Sequence, residues 1–249
     1  MIGYELYPLG DSALTLRLGA EISTEVQTRV RRLACFIEAR RFPGMVELVA
    51  AYATLTIYYD PWLLYEAGGR AALPGELAEA HVHKLLDAFE RTMQDADAAP
   101  GRLVELPVCY GGDYGPDLTE VAAFHGLTER EVIELHSGCE YPVYMIGFAP
   151  GFAYLGGLPD KLATPRRLTP RTRIEPGSVG IGGSQTGVYP LATPGGWNLI
   201  GRTPLALFRP DAAAPSLLEA GDRVRFVPVT PTQFAELLGR REEEDADES

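Results

Sequence analysis

The sequence predicts an α+β domain followed by a second domain built as a barrel of short strands. Three observations lead there. Within about the first hundred residues, apolar patterns follow the order strand, strand, helix, strand, strand, helix. Most of the chain's 27 Gly and 20 Pro fall after Gly101, where they cut the chain into turns. From Tyr141 onward the strand-like runs are short and bounded by Gly or Pro, which favours a barrel over a parallel sheet.

The elements follow in order. Tyr4 to Leu9 and Ala13 to Leu18 read as strands joined by the turn Gly10-Asp11-Ser12. Ser23 caps a helix whose Val26, Val30, Leu33 and Ile37 form one apolar stripe, and Pro43-Gly44 ends that segment. Val46 to Ala51 and Thr54 to Tyr59 form a second strand pair. A second helix starts near Pro74 and runs past Met93, burying Val82, Leu85, Leu86, Phe89 and Met93. Helices on one face of an antiparallel sheet make an α+β sandwich, and its apolar stripes are core with no catalytic constellation. Asp95 to Arg102 is the expected linker, with a strand from Leu103 to Val108 behind it.

The second half opens with two short helices. Asp117 stands three residues before Glu120 and Thr128 three before Glu131, both at capping-box spacing. Strands are then expected at Val143 to Phe148, Gly177 to Ile181, Gly187 to Leu191, Leu199 to Thr203 and Arg223 to Val227. The division expected is a domain over 1–98, a barrel over 99–232, and a short helix with an acidic disordered tail over 233–249.

Charge narrows the function. The formal net charge is -12, which repels nucleic acid and anionic membrane, and the helix pair lacks a basic recognition face. The N-terminal Met1-Ile2-Gly3-Tyr4-Glu5 has no secretory pattern, and no apolar run is long enough for a membrane span. Cys35, Cys109 and Cys139 are widely spaced without a CxxC, as expected of reduced cytoplasmic thiols rather than a disulfide framework or zinc site. The expectation is a cytoplasmic protein.

Chemistry concentrates between Glu140 and Pro204. The stretch from Gly180 to Gly187 is rich in glycine but lacks a Gly-Lys-Ser/Thr ending and a following helix. It is better read as a tight turn with backbone exposed to a ligand and Gln185 and Thr186 at its tip. Phe148, Phe152 and Tyr154 sit on a Gly/Pro-braced loop, where they either line an apolar pocket or plug the barrel mouth. Arg166, Arg167, Arg171, Arg173 and Arg202 lie among these segments, and a guanidinium beside an apolar pocket suits a carboxylate or phosphate. Arg202 is expected on a strand, whereas Arg166 and Arg167 read as a solvated surface pair. His81 and His83 face different sides of a helix, and His125 ends another helix. His136 reads either as a general base or as a helix cap, and no metal site is expected. The candidate site therefore has His136 and Arg202 as catalytic residues. Its substrate-binding residues are Phe148, Phe152, Tyr154, Arg173, Gln185, Thr186, Tyr189, Trp197 and Asn198.

Four motifs occur in order. They are the run from Tyr110 to Leu118 (YGGDYGPDL), the loop from Gly147 to Gly157 (GFAPGFAYLGG), the run from Pro176 to Pro190 (PGSVGIGGSQTGVYP), and that from Thr193 to Pro204 (TPGGWNLIGRTP). Together with Gly10-Asp11-Ser12-Ala13-Leu14 they resemble the allophanate hydrolase subunit 1 family over about residues 4 to 230. That family spans 5-oxoprolinase subunits of the PxpB type and kinase inhibitors of the KipI type. Ala153 stands where the family commonly has a proline.

The resemblance implies a cyclophilin-like all-β barrel with short helices behind the α+β domain. It implies work as one subunit of an ATP-dependent 5-oxoprolinase, with PxpA-like and PxpC-like partners and ATP acting at the level of the complex. Prolyl isomerase activity does not follow, since function lives in the site and not the fold. Two alternatives stay open: inhibition of a sensor histidine kinase, or membership of another urea- or amide-metabolising hydrolase or carboxylase.

Overall fold

The structure, a computed structural model, describes residues 3–20, 23–92 and 101–247. The chain divides into two compact units, Met1–Pro100 and Gly101–Ser249. Most of the expected linker lies outside the described residues, as do Met93 and the first two residues of the N-terminal segment.

In the first unit, β1 (Glu5–Pro8), β2 (Ala13–Arg17), β3 (Met45–Ala51) and β4 (Thr54–Tyr59) form an antiparallel sheet in the order β1-β2-β4-β3. Three helices accompany it: α1 (Thr24–Glu38), α2 (Pro61–Ala67) and α3 (Pro74–Thr92). Ser23 caps α1 by accepting from the Val26 N–H at 3.2 Å. Val30, Leu33 and Ile37 of its stripe are fully buried against Leu16, Leu55 and Ile57 of the sheet and Val82 and Phe89 of α3. Periodicity of this kind follows from one helix face meeting one sheet. Helix α2 was not expected, although Asp60-Pro61 announces it. The Asp60 carboxylate accepts from the Trp62 and Leu63 N–H groups, and proline occupies the first turn. His81 stacks on Phe42, and His83 shares a hydrogen bond with the Tyr4 hydroxyl, so each has its own packing partner.

The second unit closes into a barrel. Its strands are β5 (Leu103–Tyr110), β6 (Glu140–Ile146), β7 (Ala153–Leu155), β9 (Ser178–Gly182), β10 (Gln185–Val188), β12 (Asn198–Arg202) and β13 (Arg223–Pro228). They run in the order β10-β7-β6-β13-β5-β12-β9, with β9 and β10 closing the circle. Among the described residues only β5 and β13 pair in parallel, and closure removes the open sheet edges. Two further strands, β8 (Arg171–Ile174) and β11 (Thr193–Gly195), make a separate ribbon. Inside the barrel lie Leu106, Val108, Tyr141, Val143, Ile200 and Phe226. Helices α4 (Leu118–His125) and α5 (Glu129–Ser137) add Val121, Ala122 and Val132 to the same core.

The barrel strands expected from the sequence occur with shifted ends, and β7, β8 and β11 were not foreseen. The capping box at Thr128 and Glu131 forms, whereas Asp117 makes no cap bond because its carboxylate is engaged elsewhere. The tail needs a larger correction. Helix α6 spans Pro231–Asp247, so the acidic run expected to be disordered is helical through Asp247. Thr230 and Gln233 bond reciprocally at its start, Phe234 is buried against Tyr114, and glutamate is a good helix former.

Candidate functional site

The β9–β10 hairpin has two chemically different faces. Its register pairs Gln185 with Gly182, Thr186 with Ile181, Gly187 with Gly180 and Val188 with Val179. Because side chains alternate across a strand, Val179, Ile181, Thr186 and Val188 enter the core, where none is more than 2% exposed. Gly180, Gly182 and Gly187 take the opposite face, and Trp197 lies over them. A Cβ on Gly187 would approach the indole to 3.1 Å, one on Gly180 would meet the Trp197 Cβ at 3.2 Å, and one on Gly182 would enter the ring. The glycines are there so that the backbone can approach an aromatic closely.

Around Trp197 the rings stand edge to face. Phe152 and Tyr189 meet it at 5.8 and 6.1 Å between centroids, and Tyr154 meets Phe152 at 5.0 Å. Such pairs add to simple burial. Phe148 continues the row, but it is 67% exposed and its φ is +69°. The loop holds it there through N–H bonds from Gly147 to the Phe152 carbonyl and from Phe152 to the Ala149 carbonyl, each 3.0 Å. An exposed aromatic in a left-handed conformation is costly in two ways, and strain of this kind gathers at binding sites. These rings and Arg166 wall a pocket of about 320 Å³.

Of the expected solvated arginine pair, Arg167 is half-buried against Asp117, whereas Arg166 is exposed as expected. It lines the pocket beside Tyr189 and makes no ion pair among the described residues. Burial raises the Tyr189 phenol, against the opposing pull of a Trp197 backbone hydrogen bond and the Arg166 and Arg171 charges. The residues flanking Arg166 are fixed on both sides. Asn198 Nδ2 donates to the Pro165 carbonyl at 2.9 Å, and the Arg167 N–H donates to the Gly196 carbonyl at 2.7 Å. Arg167 and Arg171 converge on Asp117, whose side chain is 3% exposed. Arg171 binds it with both terminal nitrogens at 2.7 and 2.8 Å, and Asp117 also accepts from the Leu199 N–H at 2.7 Å. Asp117 therefore ties the arginine loop to β12, and Asn198 bridges Pro165 and Ile181 without lining the pocket.

His136, expected as a general base or a helix cap, is placed in the core and does not line the pocket. It is fully buried, stacked at 4.5 Å on Phe226, and both ring nitrogens have partners. Thr186 Oγ1 donates to the Gly180 carbonyl at 3.0 Å, so it accepts from His136 Nε2 at 2.8 Å. Nδ1 then accepts from the Tyr110 hydroxyl at 2.8 Å, which fixes a neutral tautomer. Burial lowers its pKa to about 3. Thr186, expected at a turn tip, is sealed in the same chain of bonds, and the turn falls at Gly183-Ser184.

The remaining expectations separate from the aromatic pocket. Gln185 lies on β10 but does not line the pocket. Arg173 is an exposed partner of Glu175 at 2.9 Å. Arg202, at the end of β12, donates Nε to the Pro176 carbonyl at 2.9 Å and lines a different cavity. Of the expected residues, Phe148, Phe152, Tyr154, Tyr189 and Trp197 come together; the others do not.

A family profile described as carboxyltransferase domain, subdomain C and D, matches residues 4–218. The chain belongs to this family. Among its relatives, the B-type subunit of 5-oxoprolinase from Bacillus subtilis (strain 168) is 46% identical over 235 residues, covering 94% of this chain and 96% of that one. The protein of the same name from Escherichia coli O157:H7 is 45% identical over 227 residues, covering 89% and 94%. The crystal structure of TTHA0988 superposes with a TM-score of 0.71 at 36% identity, covering 87% of this chain, which spans only 40% of that protein's length.

Within this carboxyltransferase-family chain, sequence reasoning missed Arg166 as a pocket residue and Asp117 as the anchor of its neighbours Arg167 and Arg171. The signal available was the doublet Arg166-Arg167 between Pro165 and Pro170, a rigid loop with two cations. Which cation turned inward depended on Asp117, some fifty residues earlier. Among the described residues, no group of three or more His, Cys, Asp or Glu side chains could hold a metal ion.

Proposed function

We propose that this chain is the PxpB-type component of an ATP-dependent 5-oxoprolinase, converting 5-oxo-L-proline, ATP and two waters to L-glutamate, ADP and phosphate. The observation that carries the reading is the 46% identity with the Bacillus subtilis protein over 94% of this chain. The aromatic pocket suits the substrate class. A small lactam ring stacks against Trp197 and Phe152, and its carboxylate pairs with the Arg166 guanidinium.

A lactam resists hydrolysis, and ATP cleavage supplies the activation of its carbonyl. This chain's part is to bind and orient the ring, since the residues lining the pocket include no carboxylate, imidazole or thiol. Proton transfer and the completion of the site fall to PxpA-like and PxpC-like partners in a hetero-oligomer, and the chain is inactive alone. We read the barrel as cyclophilin-like and the setting as the cytoplasm; the free thiols of Cys35, Cys109 and Cys139 support a reducing compartment.

The experiment is reconstitution with both partner subunits. ATP-dependent glutamate formation is expected only when this chain is present. Equal activity in its absence ends the reading.

A further inference from the structure

The barrel unit has a second cavity, of about 620 Å³, nearly twice the volume of the aromatic pocket. Its apolar walls come from Leu205 and Phe208 beyond β12 and from Phe234 and Leu238 of α6. Its polar lining is led by three arginines, Arg202, Arg209 and Arg241. Two carboxylates also line it, Glu175 and Asp211, and Glu175 is already paired with Arg173 at 2.9 Å outside the cavity. In a chain of net charge -12, the gathering of three guanidinium groups on one cavity is a local reversal of sign.

Arg202 is held in a manner suited to a ligand. Its Nε donates to the Pro176 carbonyl at 2.9 Å, which fixes the plane of the guanidinium. Its terminal nitrogens make no hydrogen bond or ion pair among the described residues, and its charge acts on Glu175 across the cavity wall. Arg241 donates to the Pro204 carbonyl at 2.7 Å, so the α6 side of the cavity is tied to the loop after β12. A planar, pre-oriented guanidinium above an apolar wall is the arrangement that recognises phosphate oxygens on a ligand with an apolar body. A volume of this size lies well inside the range of small-molecule and cofactor sites, whereas the aromatic pocket lies at the lower end of that range.

We propose that this cavity is a binding site for an organic phosphate of nucleotide size, with Arg202 as its principal anion contact. Arg202 takes the phosphate oxygens, and Phe208, Phe234 and Leu238 cover the apolar part of the ligand. The proposal rests on the 5-oxoprolinase reading only in the choice of ATP as probe. Binding to the isolated full-length chain and glutamate formation by the assembled enzyme are separate readouts, so either can fail without the other.

The test is calorimetric titration of the full-length chain with magnesium ATP, with inorganic phosphate and 5-oxo-L-proline as comparison ligands. Saturable binding of ATP is expected, with phosphate alone weaker and 5-oxo-L-proline not competing. Arg202→Gln is expected to weaken ATP binding about tenfold or more, as loss of a charge-assisted contact does, and Arg202→Lys to recover part of it. An unchanged melting temperature in both variants shows that the fold is intact. The proposal is overturned if ATP does not bind at several millimolar, if Arg202→Gln binds as well as the parent chain, or if 5-oxo-L-proline displaces ATP.

Discussion

The inner and outer faces of the β9–β10 hairpin put the same few residues to opposite uses. Inward, Thr186 joins Tyr110 and His136 in a closed chain of hydrogen bonds with no solvent contact at His136. Outward, three glycines make a bare shelf on which Trp197 rests. The inner face spends polar groups on each other and leaves nothing for a ligand. The outer face removes side chains so that one aromatic can organise a pocket. The difference teaches that a titratable residue near a site is not thereby a catalytic one, and that glycine richness can mark an aromatic seat as readily as a phosphate loop.

The largest effect that sharpens this contrast concerns acid stability. His136 has a pKa of about 3 in the folded chain against 6.5 when free, so the unfolded chain binds the extra proton between these values. Its contribution is present in full above pH 6.5 and is lost as pH falls toward 3, a loss on the order of 5 kcal/mol. Urea unfolding across this range is expected to show that slope, and His136→Gln to reduce it. A slope identical in the variant would show that the inner face is not sealed as described.

Next comes the outer face itself. Trp197→Ala removes a nearly buried indole and is expected to cost about 3 kcal/mol by urea unfolding. A cost below about 1 kcal/mol would mean that the glycine shelf and the ring do not depend on each other. Gly182→Ala approaches the same contact from below. Its new methyl group must push the indole aside, for an expected loss of about 1 to 2 kcal/mol and a shifted near-ultraviolet tryptophan signal.

What the sequence made legible follows the same division. The α1 stripe was readable because a helix packed on a sheet repeats its apolar residues locally, as Val30, Leu33 and Ile37 do. The row Phe148, Phe152 and Tyr154 was readable because three aromatics on a Gly/Pro loop have few other uses. The glycine shelf was visible as alternation in Val179-Gly180-Ile181-Gly182, but its reason is a tryptophan farther along the chain on another segment. Asp117 had the spacing of a helix cap, and Arg167 and Arg171, distant in sequence, outcompeted the local amides for its carboxylate. His136 stood at a helix end beside the pocket segment, and only the barrel closure shows that its ring points into the core. Local signals survived; choices among several cations or several faces did not, because tertiary contacts make them.

The central claim is that the outer-face pocket holds the 5-oxo-L-proline ring with Arg166 on its carboxylate. The direct measurement is the substrate dependence of glutamate formation by the reconstituted enzyme carrying Arg166→Gln. Arg166 is exposed and makes no ion pair among the described residues, so the variant is expected to fold normally. The account predicts a KM for 5-oxo-L-proline raised about tenfold or more with kcat little changed. A KM equal to that of the parent enzyme would contradict it.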